Sequence, residues 1–174
     1  MVIGDTPPGG QIELKPHAYD PDANPELFDG VLARRAVAFF IDLFIIAVPI
    51  IGASVFILIF GLFTFGFGWL LFWPLSPGAL IWALLYYGFT FGSEASATIG
   101  MRVMDLEMRT WYGAPCYFVL GAVHAIVFYL TVSALTPLVL LVGLFNARQR
   151  LLHDLLLGTV VINNDRRAAI LRHG

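Results

Sequence analysis

The stretch Arg34 to Ile50, RRAVAFFIDLFIIAVPI, is long and apolar enough to enter a membrane, yet Asp42 lies inside it, seven residues past Arg35. A carboxylate at depth in hydrocarbon costs roughly 2.5–3.5 kcal/mol, so it needs a partner. Arg35, Ala38 and Asp42 are spaced i, i+3 and i+7 and therefore share one helix face. The small Ala38 lets another element approach between the two charges. Arg35 can snorkel to the interface from the helix start, while Asp42 lies about 10 Å deeper by helical rise.

Donors able to answer Asp42 are few. They are Arg35, His124, and the run NARQRLLHDLLLGTVVI from Asn146, in which His153 and Asp154 sit among leucines. The set Arg35, Asp42, His153 and Asp154 has the chemistry of a proton- or cation-binding path, or of a structural clamp built from charge-assisted hydrogen bonds. His124, in the middle of an apolar segment, is a candidate proton relay or a histidine bonded to a neighbouring carbonyl. His153-Asp154 is a pair of the kind used by metal-dependent phosphohydrolases, but no second His/Asp set with ligand spacing accompanies it. The expectation is no metal, no cofactor and no enzyme. Cys116 is the sole cysteine, which excludes an internal disulfide or a cysteine metal cage.

Elements that must position these groups follow from the charge pattern. Of 174 residues 59% are hydrophobic and only 13% charged, against about 25% charged in soluble domains. No Asp, Glu, Lys, Arg or His lies between Asp42 and Glu94, and only His124 among them lies between Arg109 and Arg148. Those gaps mark the bilayer. Residues 1–30, rich in Pro, Gly and Asp, read as a disordered polar arm without the basic and apolar regions of a secretory signal. Val37 to Phe60 reads as a first helix with Pro49 inside it, and the aromatic, glycine-interrupted run to Trp73 as an interfacial turn. A second helix returns over Leu75 to Phe91. Met104 to Arg109 alternates apolar and charged residues, the period of a short strand lying on a surface. Pro137 divides the last apolar region into a helix over Cys116 to Leu135 and a short returning or re-entrant one over Pro137 to Asn146. The fold class is therefore all-α, a polytopic membrane bundle of about four embedded helices. Its membrane domain covers 31–162, with a C-terminal tail over 163–174.

Arginines cluster at 34–35, 102–109 and 148–172 and are missing from the 61–73 turn. The positive-inside rule then puts both termini in the cytoplasm. The partners expected are the lipid bilayer and either further copies of the chain or another membrane protein. With no basic patch, nucleic acid is not one of them.

Taken in order, Arg35-x-x-Ala38-x-x-x-Asp42, the TIG of Thr98 to Gly100, and LHDLLLGTVV with His153-Asp154 and Gly158-Thr159 resemble the RDD family of prokaryotic membrane proteins over about residues 31–162. That family is named for one arginine and two aspartates, which map onto Arg35, Asp42 and Asp154. The resemblance implies a small multi-pass protein of the cytoplasmic (inner) membrane, with transport, including sodium/proton antiport, proposed for some members. Two departures stand out: Met101 where the family usually has Lys, and His124 where it often has Arg.

Overall fold

A computed structural model describes residues 18–173 of the chain. Helix α1, Val31–Phe63, runs through Pro49 without a break. A 3₁₀ turn at Phe67–Leu71 leads into α2, Phe72–Phe91. Two helical stretches, ending at Phe63 and Phe91, are long and apolar enough to cross a membrane, and only 11% and 6% of their most apolar windows are covered by the rest of the chain. A soluble core helix would be mostly covered, so these surfaces are built for an apolar surrounding. At the turn between them Trp69 lies against Gly61 and its indole N–H donates to the Leu58 carbonyl at 3.3 Å, while Phe63, Phe65 and Trp73 stay exposed.

At the opposite end sits a polar cap. It contains α3 (Ile99–Val103), β1 (Leu106–Thr110), α5 (Leu152–Leu157), β2 (Thr159–Asn163) and α6 (Asp165–His173). β1 and β2 pair antiparallel, with Leu106 opposite Asn163 and Thr110 opposite Thr159. The alternation expected of Met104 to Arg109 is present, but the strand is covered rather than superficial, with Leu106 and Met108 fully buried. Alternation also explains β2: Val161 joins the main core with Val31, Ala38 and Met108, whereas Val160 and Ile162 face the other way, onto Phe28, Tyr19 and Leu27.

That second face corrects the expected arm. Residues 18–30 fold over the sheet through a 3₁₀ turn at Pro25–Leu27, and the backbone N–H of Ala18 donates to the Trp111 carbonyl. Their few apolar side chains have the outer face of β2 to cover. Residues 1–17 lie outside the described residues.

Pro137 does not divide the third apolar region into two helices: α4 is helical from Phe118 to Leu144. It is nevertheless not straight. His124 stacks edge-on against His153 with ring centroids 4.9 Å apart, and Gly143 is packed against Leu151 and Leu32. A straight helix would hold His124 and Gly143 about 28 Å apart, whereas their neighbours His153 and Leu151 are two residues apart in sequence. The element is therefore curved, and its end lies beside Leu32, where α1 begins. Its first limb packs antiparallel on α2 through glycines. A Cβ on Gly121 would sit 2.6 Å from the Phe91 Cβ and 3.0 Å from the Tyr87 carbonyl oxygen.

Because neither of those neighbours is the free end of a flexible side chain, Gly121→Val is expected to wedge α2 from α4. A loss of about 1–3 kcal/mol follows from overpacking. Thermal unfolding in detergent measures it, and an unchanged midpoint would show that the two helices do not pack there.

Candidate functional site

Asp42 is buried, 3% exposed, and its partners are not cations. The Tyr86 hydroxyl donates to Oδ1 at 2.5 Å, the Gly100 backbone N–H to the same oxygen at 2.7 Å, and the Thr98 hydroxyl to Oδ2 at 2.6 Å. Thr98 is also the N-cap of α3, accepting the Met101 N–H at 3.1 Å. The carboxylate thus completes the start of that helix, whose first N–H groups have no partner within it. The expectation that Asp42 pairs with Arg35 or a later arginine is corrected. Two helical turns separate it from Arg35, and α3 arrives at its level with neutral donors.

Gly100 makes this approach possible. A Cβ there would lie 2.2 Å from the Ala38 carbonyl oxygen and 2.9 Å from the Asp42 carboxyl carbon. The small pair Ala38 and Gly100 lets α3 touch the α1 backbone.

A second cluster is built on Asp154, which is fully buried. Arg35 Nη1 donates to its Oδ2 at 2.5 Å, and the Leu151 N–H reaches the same oxygen at 3.0 Å. Nη2 of Arg35 lies 3.3 Å from His153 Nε2. His124 Nε2 and His153 Nε2 each stand 3.7 Å from Asp154 Oδ1, which Thr159 Oγ1 also approaches at 3.4 Å. Gly158, at φ +64°, closes α5 in the left-handed conformation that favours glycine and turns the chain into β2. Arg150 serves the backbone instead of a carboxylate. It donates to the Asp154 and Thr159 carbonyls at 2.8 Å each and lies 4.6 Å over the Trp111 ring.

Arg35, His153, Asp154 and His124 are therefore brought together, with Thr159 and Gly158 supporting them, while Asp42, Thr98, Gly100 and Ala38 form a separate joint. Between the two lies a cavity of about 70 Å³, walled by Arg35, Asp42, Met101, His124, Phe128 and His153. It has room for a few water molecules. Tyr86 escaped the sequence reading, because α2 offers two adjacent tyrosines with nothing to distinguish them, and Arg150, expected as a candidate partner of the Asp154 carboxylate, bonds backbone carbonyls instead. The expected lack of a metal-ligand set is also revised in its geometry, because ligand atoms of His124, His153 and Asp154 all lie within 4.8 Å of one another. The separation of 29 positions between the two histidines hid this. Among the described residues, buried His153 Nδ1 has no hydrogen-bond partner.

Burial pushes Asp154 upward, but the Arg35 guanidinium together with the neighbouring His153 and His124 holds its carboxyl below the usual range. Burial, together with Arg35, drives His153 down to about 3.

A family model described as the RDD family matches residues 30–158. No curated protein and no solved structure matches the chain.

Stability should fall with acid in a defined window. Below about pH 6.5 the unfolded chain protonates His153, while the folded chain keeps it neutral to about pH 3. The unfolded state then binds more protons, so the thermal midpoint drops as pH falls from 6.5 toward 4, and His153→Leu should flatten that slope. Asp154, whose carboxyl is held low, keeps its contribution through this window and loses it only in stronger acid. Asp154→Ala strands the Arg35 charge at the edge of the core and should cost about 3 kcal/mol at neutral pH. Wild-type melting of that variant would mean the pair is solvated.

Proposed function

Since the chain belongs to the RDD family and its apolar helices fit a membrane protein, we propose that it is a non-catalytic membrane assembly protein whose charged residues clamp its polar cap onto the helices. In this reading it works with further copies of itself or with another membrane protein. The observation that carries it is that both carboxylates hold elements of the fold together, with both oxygens of Asp42 occupied. Asp42 accepts from three neutral donors, and Asp154 is held by Arg35 and the Leu151 N–H. A carboxylate that carries a cation must surrender its partners in every cycle, and Asp42 would have to release α2 and α3 together. The arginine distribution supports an orientation with the cap and both termini in the cytoplasm, and the family resemblance supports a prokaryotic inner-membrane location.

The cavity favours a second reading, movement of protons or small cations, because intramembrane ionisable groups around a water-sized space are what such paths use. The two readings diverge at Asp42. An asparagine can keep Tyr86 and Gly100 on its Oδ1, whereas alanine orphans all three donors. The clamp reading therefore expects Asp42→Ala to destabilise by about 1–3 kcal/mol more than Asp42→Asn, with no proton or sodium flux in proteoliposomes of wild type. Flux in wild type that is abolished by a folded Asp42→Asn protein would instead establish transport.

Orientation has its own test. Cys116 is buried and a poor target for labelling, so in a Cys116→Ala background Phe65→Cys should react with impermeant maleimide on intact cells and Arg166→Cys only in inverted vesicles. The opposite pattern would reverse the topology.

A further inference from the structure

We propose that His124, His153 and Asp154 form a binding site for one divalent transition-metal ion of the zinc type, and that this ion and the Arg35 guanidinium are alternative counter-charges for Asp154. The inference is separate from the assembly reading, because its test reads metal binding and neither assembly nor flux.

It begins with lone pairs. Nε2 of each histidine stands 3.7 Å from Asp154 Oδ1, too far for a hydrogen bond, yet the three atoms converge on one point. Ligand atoms of the three residues lie within 4.8 Å of one another. An ion about 2.0–2.2 Å from each would separate such atoms by roughly 3.3–3.6 Å, so only a small inward movement is needed. Two imidazoles and a carboxylate suit zinc and its neighbours and leave a further position, facing the cavity, for water.

Structural packing alone explains these imidazoles poorly. Nδ1 of His153 is buried without a partner, and the 3.3 Å contact from Arg35 is the hydrogen bond its ring makes among the described residues. A phenylalanine would fill the place without burying an unsatisfied nitrogen. Nδ1 of His124 lies 3.5 Å from Thr159 Oγ1, an outer contact that holds its Nε2 toward Asp154, as supporting hydrogen bonds do for metal-bound histidines.

Charge decides what must move. Arg35 and Arg150 are balanced in this region by Asp154 and, across the cavity, Asp42. A divalent ion added beside an unmoved Arg35 would leave the centre strongly positive. Asp154 Oδ1 is turned away from Arg35, which bonds Oδ2. The Arg35 side chain is 12% exposed at the start of α1, so its guanidinium can withdraw toward the interface as the ion enters. Arg150 need not move, because its bonds are to backbone carbonyls.

The test uses the full chain in detergent, stripped with chelator and titrated with Co²⁺ alone and then with Zn²⁺ in competition. Wild type should bind one Co²⁺ per chain with the visible absorption of a four-coordinate nitrogen and oxygen site, displaced by Zn²⁺. His124→Gln and His153→Gln should each weaken binding at least tenfold. Arg35→Gln removes the competitor, so it should bind more tightly, and Zn²⁺ should raise its thermal midpoint more than that of wild type. This gain keeps the test decisive even if a histidine variant fails to fold. Absence of saturable Co²⁺ binding, binding indifferent to both histidine changes, or weaker binding in Arg35→Gln would each overturn the proposal.

Discussion

Hydrocarbon tolerates a carboxylate only if something meets it, and what meets Asp42 is the beginning of another helix. Tyr86 from α2, Thr98 and the Gly100 N–H from the start of α3 converge on a side chain of α1. This joint fixes three elements at one depth. From it follow the place of β1, which leaves α3 within a few residues, and of β2, which pairs with β1. Desolvating the carboxylate is offset by hydrogen bonds of charge-assisted strength, and the α3 N-terminus is capped in the same contact.

Asp154 is handled differently. Its partner is a full charge, Arg35, and the pair lies near the end of α1, where a guanidinium can lean toward water. Neutral donors at depth and an ion pair near the edge are two answers to one constraint, and the difference follows the position of each residue along α1. Around the ion pair the cap is tied down again. Arg34 donates to Asn163, whose amide in turn donates to the Glu26 and Asp29 carbonyls. The family named for its arginine and aspartates thus shows, in this chain, two separate polar joints with a small cavity between them.

Much of this was legible in the sequence. Charge-free gaps gave the two long apolar helices, period-two alternation gave β1, and the spacing of Arg35, Ala38 and Asp42 gave the face on which α3 docks. What was not legible depended on distant pairing. No local signal marks Tyr86 over Tyr87 as the Asp42 partner. Tyr19, Leu27 and Phe28 look like stray apolar residues in a polar arm until β2 offers them a face. Pro137 suggested a break, whereas the chain is helical from Phe118 to Leu144, and only the fold of α5 shows that His153 comes back to His124.

The span in sequence between partners has a consequence for how the protein is made. Asp42 acquires its Gly100 partner 58 residues later, and Arg35 meets Asp154 only after 119. At about 5–20 residues per second these separations correspond to roughly 3–12 and 6–24 seconds of synthesis. The first helix is synthesised before either joint can exist. During that interval Asp42 lacks the donors that α3 supplies, and the finished charge pattern is assembled from the second half of the chain backward onto the first.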